Sequence, residues 1–476
     1  MKLMLTLRRK QLCQISAVST ALLFLSGCST MQVPPVVAES TYVPTKWTAR
    51  LPTAERSATL QAWWQSQNEP ELAQLIATAQ SVSPDIATTL ARIEQAKSLQ
   101  AQARAAHLPS LSATASQSRM HAPLYNGTYV QNQAGLQIGW ELDLARLRGA
   151  DTMATRAQLE SAQARWHDAR ILMAAEVADL YYASRAFQQQ KLLIEEDVAS
   201  YEVAAQWLLR LFQEGLVSDA DLATARVNAS ESRARLQQQQ ASCDVQVKGL
   251  VAMTGQSESE VRQLMQAAWS RPGSPVPFAI AAVPAQTLAQ RPDIYMAERD
   301  VLQAQATVLQ AEAARLPRLS LEGFVGRGNF IYGGTTTNAS TWTFGPLALT
   351  LPIFDGGRRE AEQRAAEADV KAALSIYQSR VRQGVREVEE ALVQLDSAEK
   401  RWLESRTTAQ QALIRLQSNQ NLLQEGLLSA LEFEDIRRQT RVSESNSFVL
   451  DLERQRAWIT LYRAIGGGFQ PSSLSS

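Results

Sequence analysis

The side chains best suited to chemistry in this chain are three histidines, His107, His121 and His167, and three cysteines, Cys13, Cys28 and Cys243. Their spacing supports little of it. No His-x-x-x-His, Cys-x-x-Cys, Gly-x-Ser-x-Gly or phosphate-loop pattern accompanies them, so neither a metal centre nor an activated nucleophile is indicated. Carboxylates are plentiful but fall in helical charge patterns, such as Glu387, Glu389 and Glu390 near Arg386. Such patterns belong to solvated faces and interhelix pairs. An enzyme and a bound cofactor are therefore not expected.

Cys28 is a different case. Lys2, Arg8, Arg9 and Lys10 form a basic start, Ile15 to Leu25 supplies a short apolar core, and Leu25-Ser26-Gly27-Cys28 ends it. That is a processing signal, and its last four residues resemble a bacterial lipobox, which implies cleavage before Cys28 and a lipid on its thiol. Ser29, in place of aspartate, implies delivery to the outer membrane. Cys243 is then left alone, without a disulfide partner, and suits a small buried position.

The elements that would position any site come in duplicate. Residues 84–112 align without a gap on 292–320, from Pro-Asp-Ile to Leu-Pro-x-Leu-Ser. Further on, Gln213-Glu214-Gly215-Leu216-Val217-Ser218 answers Gln424-Glu425-Gly426-Leu427-Leu428-Ser429. Solenoid periods run only about 20–50 residues, so this long unit reads as a duplicated half-protein. Charge adds no steering: 47 basic residues balance 47 acidic ones, and no nucleic-acid partner is expected. Hydrophobic residues make up 45 %, yet no apolar run after residue 28 approaches the ~20 residues of a spanning helix. Any membrane crossing must use strands.

Each half contains them. Ala134, Leu136, Ile138, Trp140, Leu142 and Leu144 alternate with polar or small residues, and Leu111–Ser118 alternates more weakly across a Tyr125-Asn126-Gly127 turn. The second half offers strands over 316–330 and 341–354, a loop of Gly333-Gly334 with the Thr/Asn/Ser run, and a bulge at Gly345-Pro346. After each hairpin comes a long run of strong helix formers, 150–214 without Gly or Pro and 358–425 broken only by Gly384. Each run would span about 100 Å at 1.5 Å per residue. Gly215 and Gly426 suit the left-handed residue that ends a helix, and Ser218 and Ser429 the caps that start the returning ones.

These signals divide the chain into a signal peptide (1–27), a lipidated tether (28–56), a first repeat (57–255), a connecting segment (256–283), a second repeat (284–466) and a tail (467–476). The first repeat holds a short helix near 58–67, one from Pro70 to Gln80, one over 84–106, a hairpin about 108–144, a long helix about 145–214 and a returning helix about 219–255. The second holds a hairpin about 316–354, a long helix about 357–425 and a returning helix about 429–465. Strands of this length cross a bilayer, but open sheet edges cannot sit in lipid, where unpaired N–H and C=O groups have no water. Four strands are too few for a barrel, which needs about eight. Copies must share one, and three would give twelve strands.

The layout resembles the TolC-like outer-membrane efflux family, in its lipid-anchored branch of OprM- and NodT-like proteins. The residues that carry the likeness are Leu25–Cys28, Trp63-Trp64, Trp140-Glu141-Leu142-Asp143-Leu144, Arg291-Pro292-Asp293-Ile294, Leu316-Pro317 and Leu351-Pro352-Ile353-Phe354-Asp355-Gly356-Gly357-Arg358. The resemblance implies a homotrimer in the outer membrane: a twelve-stranded β-barrel, four strands per chain, continuous with a long α-helical barrel through the periplasm. It also implies a periplasmic adaptor and an inner-membrane pump of the resistance-nodulation-division type. Glu432 and Asp435 fall on the family's two acidic ring positions, and Asp221 on an acidic position that helps hold the closed state. Three copies of a carboxylate at a constriction would repel one another, raise each other's pKa and attract cations. The turns Gly215-Leu216-Val217-Ser218 and Gly426-Leu427-Leu428-Ser429 fall on the adaptor contact, with Leu216, Leu427 and Leu428 as exposed apolar groups.

One departure stands out. The family's best-known member has an arginine at the position of Leu428 and a tyrosine at that of Leu423, so closure here must use Asp221, arginines such as Arg226 and Arg437, or packing of Leu423. A competing reading is a lipid-anchored coiled-coil scaffold or membrane-bridging adaptor without a pore. Such a protein would not need two period-two hairpins at matching places. The aromatics near the hairpins, among them Tyr125, Tyr129, Trp140, Phe324, Phe330, Tyr332, Trp342 and Phe344, are not sorted by the sequence into membrane and interior residues.

Overall fold

The computed structural model describes residues 43–52, 63–122, 127–144, 147–269, 278 and 284–471. The signal segment, Cys28, the start of the helix expected from Ala58, Tyr125 and Asn126 of the first turn, and much of the connecting segment lie outside them.

Three helices, α1 (Trp63–Ser66), α2 (Pro70–Val82) and α3 (Pro84–Ala106), precede strands β1 (Ser110–Ala122) and β2 (Gly127–Leu142). The 67-residue α4 (Leu147–Gln213) and the 36-residue α5 (Asp219–Thr254) complete the first half. After α6 (Glu258–Trp269) and α7 (Pro284–Leu288), the plan repeats as α8 (Pro292–Ala313), β3 (Arg318–Tyr332), β4 (Thr335–Thr350), the 67-residue α9 (Arg358–Gln424) and α10 (Ala430–Ala464). The two long helices are equal in length, and neither holds a proline; each holds one glycine, Gly149 in the first turn of α4 and Gly384 inside α9, where it marks a close approach. A Cβ there would stand 3.0 Å from Leu288 Cδ2 and Ile294 Cδ1 and 3.4 Å from Arg291 Nε.

Within each half the returning helix packs on its long helix, α5 on α4 and α10 on α9, while α3 and α8 extend alongside α4 and α9. The halves are joined because α10 also packs on α4 and α8 on α4. The core sits where α1, α2 and α6 meet α4, α5 and α10. Trp63 stacks on Tyr462 at 5.0 Å and meets Phe278 edge-on at 5.0 Å. Leu72, Leu75, Val261, Met265 and Leu461 fill the surrounding space. Cys243 is buried, and that burial pushes its thiol pKa up. Residues 43–52 do not lead away as a free tether. Thr48 and Ala49 donate their N–H groups to the Glu389 carboxylate on α9 at 2.7 and 2.8 Å, and Trp47 is buried.

The four strands form one antiparallel sheet in the order β1-β2-β3-β4. Its centre is the pairing of β2 with β3, one strand from each half, running from Tyr129 opposite Tyr332 to Leu142 opposite Leu319. The second hairpin differs from expectation at both ends. Its loop is only Gly333-Gly334, both at positive φ, as a two-residue turn requires. The β-branched run from Thr335 is therefore strand rather than loop. Strand β4 stops at Thr350 rather than Phe354, because Pro352 has no N–H to continue the ladder. The bulge lies at Gly345-Pro346: Leu347 faces Leu321 and Phe344 faces Gly323, leaving two residues against Glu322.

Candidate functional site

Both helix-turn tips are built alike. At the first, Gly215 N–H donates to Phe212 O and Leu216 N–H to Leu211 O, each at 2.9 Å; at the second, Gly426 donates to Leu423 O and Leu427 to Leu422 O at 3.1 and 2.9 Å. This 5→2 and 6→1 pair needs a left-handed residue, supplied by Gly215 (φ 73°) and Gly426 (φ 72°). Ser218 and Ser429 then start α5 and α10 with reciprocal capping boxes whose third residues are Asp221 and Glu432. The Asp221 carboxylate accepts from Ser218 Oγ at 2.6 Å and from its backbone N–H at 3.1 Å; Glu432 does the same with Ser429 at 2.7 and 3.0 Å. The serine hydroxyl first, and its backbone N–H second, hold each carboxyl below its ordinary pKa. Within one chain these groups thus serve as caps. The mutual repulsion expected to raise their pKa values requires other copies.

Leu216 and Leu427 are 70 % and 71 % exposed at the very tips, an unusual setting for leucine. Leu428, expected beside them, is half-buried, as are Val217 and Leu423.

Behind the second tip lies a seam that the sequence alone did not reveal. Asp435 pairs with Arg438 on α10, and Arg438 stacks over the Tyr201 ring of α4 at 4.6 Å and donates to Ser200 Oγ at 3.3 Å. Ser200 also bonds Glu434, which pairs with Arg437 at 3.2 Å. One turn on, buried Arg441 reaches Glu196 and Asp197 of α4 at 3.1 and 2.8 Å. Farther along, Arg456 grips Asp179. The available signal was the repeat itself. Where α10 has Glu434, Arg438 and Arg441, the aligned α5 positions hold the uncharged Ala223, Val227 and Ser230.

The Arg-Pro-Asp motif is a second knot. Buried Arg291 chelates Asp293 through two nitrogens at 2.9 and 2.8 Å, donates to Glu387 of α9 at 2.6 Å, and donates to the Ala464 carbonyl at the end of α10 at 2.7 Å. It thereby fastens α8 to both helices of its half.

In the sheet, directly opposed residues share a face, so the register sorts the aromatics. One face carries Leu111, Leu136, Ile138, Trp140, Leu321, Val325, Trp342, Phe344, Leu347 and Leu349. Trp342 and Phe344 are 75 % and 77 % exposed there, with no layer among the described residues covering them. Tyr129, Phe324, Phe330 and Tyr332 lie on the opposite face, among Ser110, Ser112, Thr114, Gln133 and Gln137. Tyr125 is outside the described residues. An apolar face opposite a polar one, on strands of 13–16 residues, is the pattern of a membrane barrel wall. No described helix is long and apolar enough to cross a membrane, and no metal-binding cluster occurs among the described residues.

Comparison with known proteins agrees. The model of the outer membrane efflux protein family matches residues 75–256 and 283–467, one stretch in each half. Nodulation protein T of Rhizobium leguminosarum bv. trifolii is 25 % identical over 456 residues, covering 94 % of this chain and 96 % of that protein. The pyoverdine export outer membrane protein OpmQ of Pseudomonas putida is 28 % identical over 468 residues, with 95 % and 97 % covered. A crystal structure of a membrane protein from Pseudomonas aeruginosa superposes with a TM-score of 0.76 at 25 % identity, covering 91 % of this chain and 99 % of that one. The chain belongs to the outer membrane efflux protein family, and is an outer-membrane channel component rather than an enzyme.

Proposed function

We propose that three copies close a twelve-stranded barrel and a helical tunnel, forming the exit duct of a tripartite pump that carries small molecules across the periplasm to the outside. One observation carries this reading: among the described residues, β1 and β4 are open edges of a sheet whose apolar face is uncovered. Each unpaired backbone group in lipid costs several kcal/mol, and only closure with other copies removes that cost. The helices suggest how the tunnel closes. Within one chain α10 packs on α4; by the repeat, α5 of one copy packs on α9 of the next, with Ala223, Val227 and Ser230 in place of the charged seam.

In this assembly the tips of α4/α5 and α9/α10 gather at the periplasmic end. Glu432 and Asp435 from three copies form the acidic constriction, with Asp221 behind them, and the seam through Arg438 and Arg441 supplies the polar closing contacts that Leu428 and Leu423 lack. Gly215-Leu216-Val217-Ser218 and Gly426-Leu427-Leu428-Ser429 meet the tip of a periplasmic adaptor, which connects to an inner-membrane pump of the resistance-nodulation-division type. Leu216 and Leu427 supply the apolar contact. A lipid on Cys28 anchors each chain to the membrane.

Planar-bilayer recording of the purified protein tests this. Discrete, cation-preferring current steps are expected, with larger conductance and weaker cation preference after Glu432→Ala and Asp435→Ala. Protein that never conducts, with or without these substitutions, would instead favour a lipid-anchored scaffold.

A further inference from the structure

The apolar face of the sheet changes character partway along its strands. From Leu349 to Trp342 on β4 and from Leu142 to Leu136 on β2 it is apolar; the next two rungs carry polar residues beside Ala115 and Ala134, and Val130 and Ile331 follow beyond them. One rung aligns Arg327 with Ser340, and the next aligns Gln117, Asn132, Asn329 and Asn338 across all four strands. A depression of about 830 Å³ lies over these rungs, lined by those six residues, by Ala115 and Ala134 of the same face, and by the row between the rungs, Ser116, Gln133, Gly328 and Ala339. The amides are already organised: Asn132 Nδ2 donates to Asn329 Oδ1 at 2.7 Å. Arg327 reaches toward Ser340 Oγ at 3.5 Å, and Arg119 stands one rung farther out.

Charge is segregated between the faces. On this outward face the described strands carry two arginines and no carboxylate; the strand carboxylates Glu141 and Glu322 both lie on the inner face. Depth is fixed by the apolar band. Successive rungs on one face are about 7 Å apart along a strand, so at the usual tilt the polar rungs begin about 5 Å above the Trp342 rung. Trp342 occupies the band's edge, where tryptophan marks the membrane–water interface. The depression therefore sits at the level of the outer leaflet's headgroups.

We propose that this depression binds the phosphorylated sugar headgroup of an outer-leaflet glycolipid. The amides and Ser340 offer both donors and acceptors for sugar hydroxyls, and the guanidinium of Arg327 offers a fork for a phosphate. A glycerophospholipid presents a phosphate but few hydroxyls, and would leave the amide row unused. The inference rests on the barrel orientation proposed above, with the apolar face toward lipid.

The test uses the full-length channel in detergent. Native mass spectrometry would be run with bisphosphorylated lipid A, dephosphorylated lipid A, phosphatidylglycerol and inorganic phosphate. Lipid A should bind, phosphatidylglycerol and phosphate should not displace it, and removing its phosphates should weaken it. Arg327→Ala with Asn329→Ala should weaken lipid A by about tenfold or more, the usual cost of a lost charge-assisted bond. Wild-type protein gives a second readout: lipid A should shield Arg327, but not Arg318, from phenylglyoxal. Equal binding by the variant, equal binding of phosphatidylglycerol, or an unshielded Arg327 overturns the site. The channel reading is judged separately by conductance, so a conducting channel without lipid A preference defeats only this inference.

Discussion

The two halves of the chain are the same device with different fastenings. Pro84-Asp85-Ile86 and Pro292-Asp293-Ile294 begin equivalent helices, but the residue before them differs. Ser83 simply caps α3, its Oγ accepting from Ile86 N–H at 3.3 Å. Arg291, in the same place, ties α8 to α9 and to the end of α10. Likewise α5 presents Ala223, Val227 and Ser230 where α10 presents the charged seam to α4. What the duplication preserved is local geometry, namely turns, caps and lengths. What diverged is one face of the returning helix: α10 turns Glu434, Arg438 and Arg441 toward α4, where the matching positions of α5 are Ala223, Val227 and Ser230.

The strongest way to break that contrast is at the knot. Arg291→Ala leaves Asp293, Glu387 and the Ala464 carbonyl without their cation, and should cost about 3–5 kcal/mol, as expected when one partner of a buried ion pair is removed. Thermal or denaturant unfolding of the purified protein measures it. Ser83→Ala, at the equivalent position, should cost only about 1 kcal/mol. Equal losses would mean that the halves are fastened alike. The seam comes next. Arg441→Ala should cost about 2 kcal/mol through lost charge-assisted bonds to Glu196 and Asp197. It should also raise single-channel conductance by freeing α10 from α4, whereas Ser230→Ala at the matching place in α5 should leave both stability and conductance nearly unchanged.

The tips should behave alike, which sharpens the comparison from the other side. Ser218→Ala and Ser429→Ala should each cost about 1 kcal/mol, because the capping boxes are the same. A pH dependence follows. The folded carboxyls of Asp221 and Glu432 lie below their ordinary pKa, so the cap's contribution is complete above the unfolded value and fades as pH falls through the folded one. In each serine variant this acid-side loss should shrink by a similar, small amount. A variant that titrates as the wild type does would remove the serine as the cause.

Much of the architecture was legible because its signals are local. A run without Gly or Pro announces α4 and α9, and Gly followed three residues later by Ser announces the end of one helix and the start of the next. Period-two alternation located β2, although its first residues from Gly127 were hidden by a polar stretch that the register places above the apolar band. The Thr335–Ser340 run looked like a loop because its residues are polar; pairing with β3 overrode composition. The candidate site was less legible. Asp221 and Glu432 could be placed at the tips near the capping serines, but their hydrogen bonds to Ser218 and Ser429 and the resulting pKa direction emerged only from the geometry. The seam through Ser200, Tyr201, Arg438 and Arg441 joins residues more than 230 positions apart, a distance no periodicity spans. Leu428 was expected among the exposed apolar groups of the tip, yet it is half-buried.

The central claim is that one chain supplies four strands of a closed wall and cannot form it alone. Multi-angle light scattering of the detergent-solubilised protein, corrected for bound detergent, weighs that claim directly. A particle of three chains is the predicted result; a stable, monodisperse single chain would contradict it.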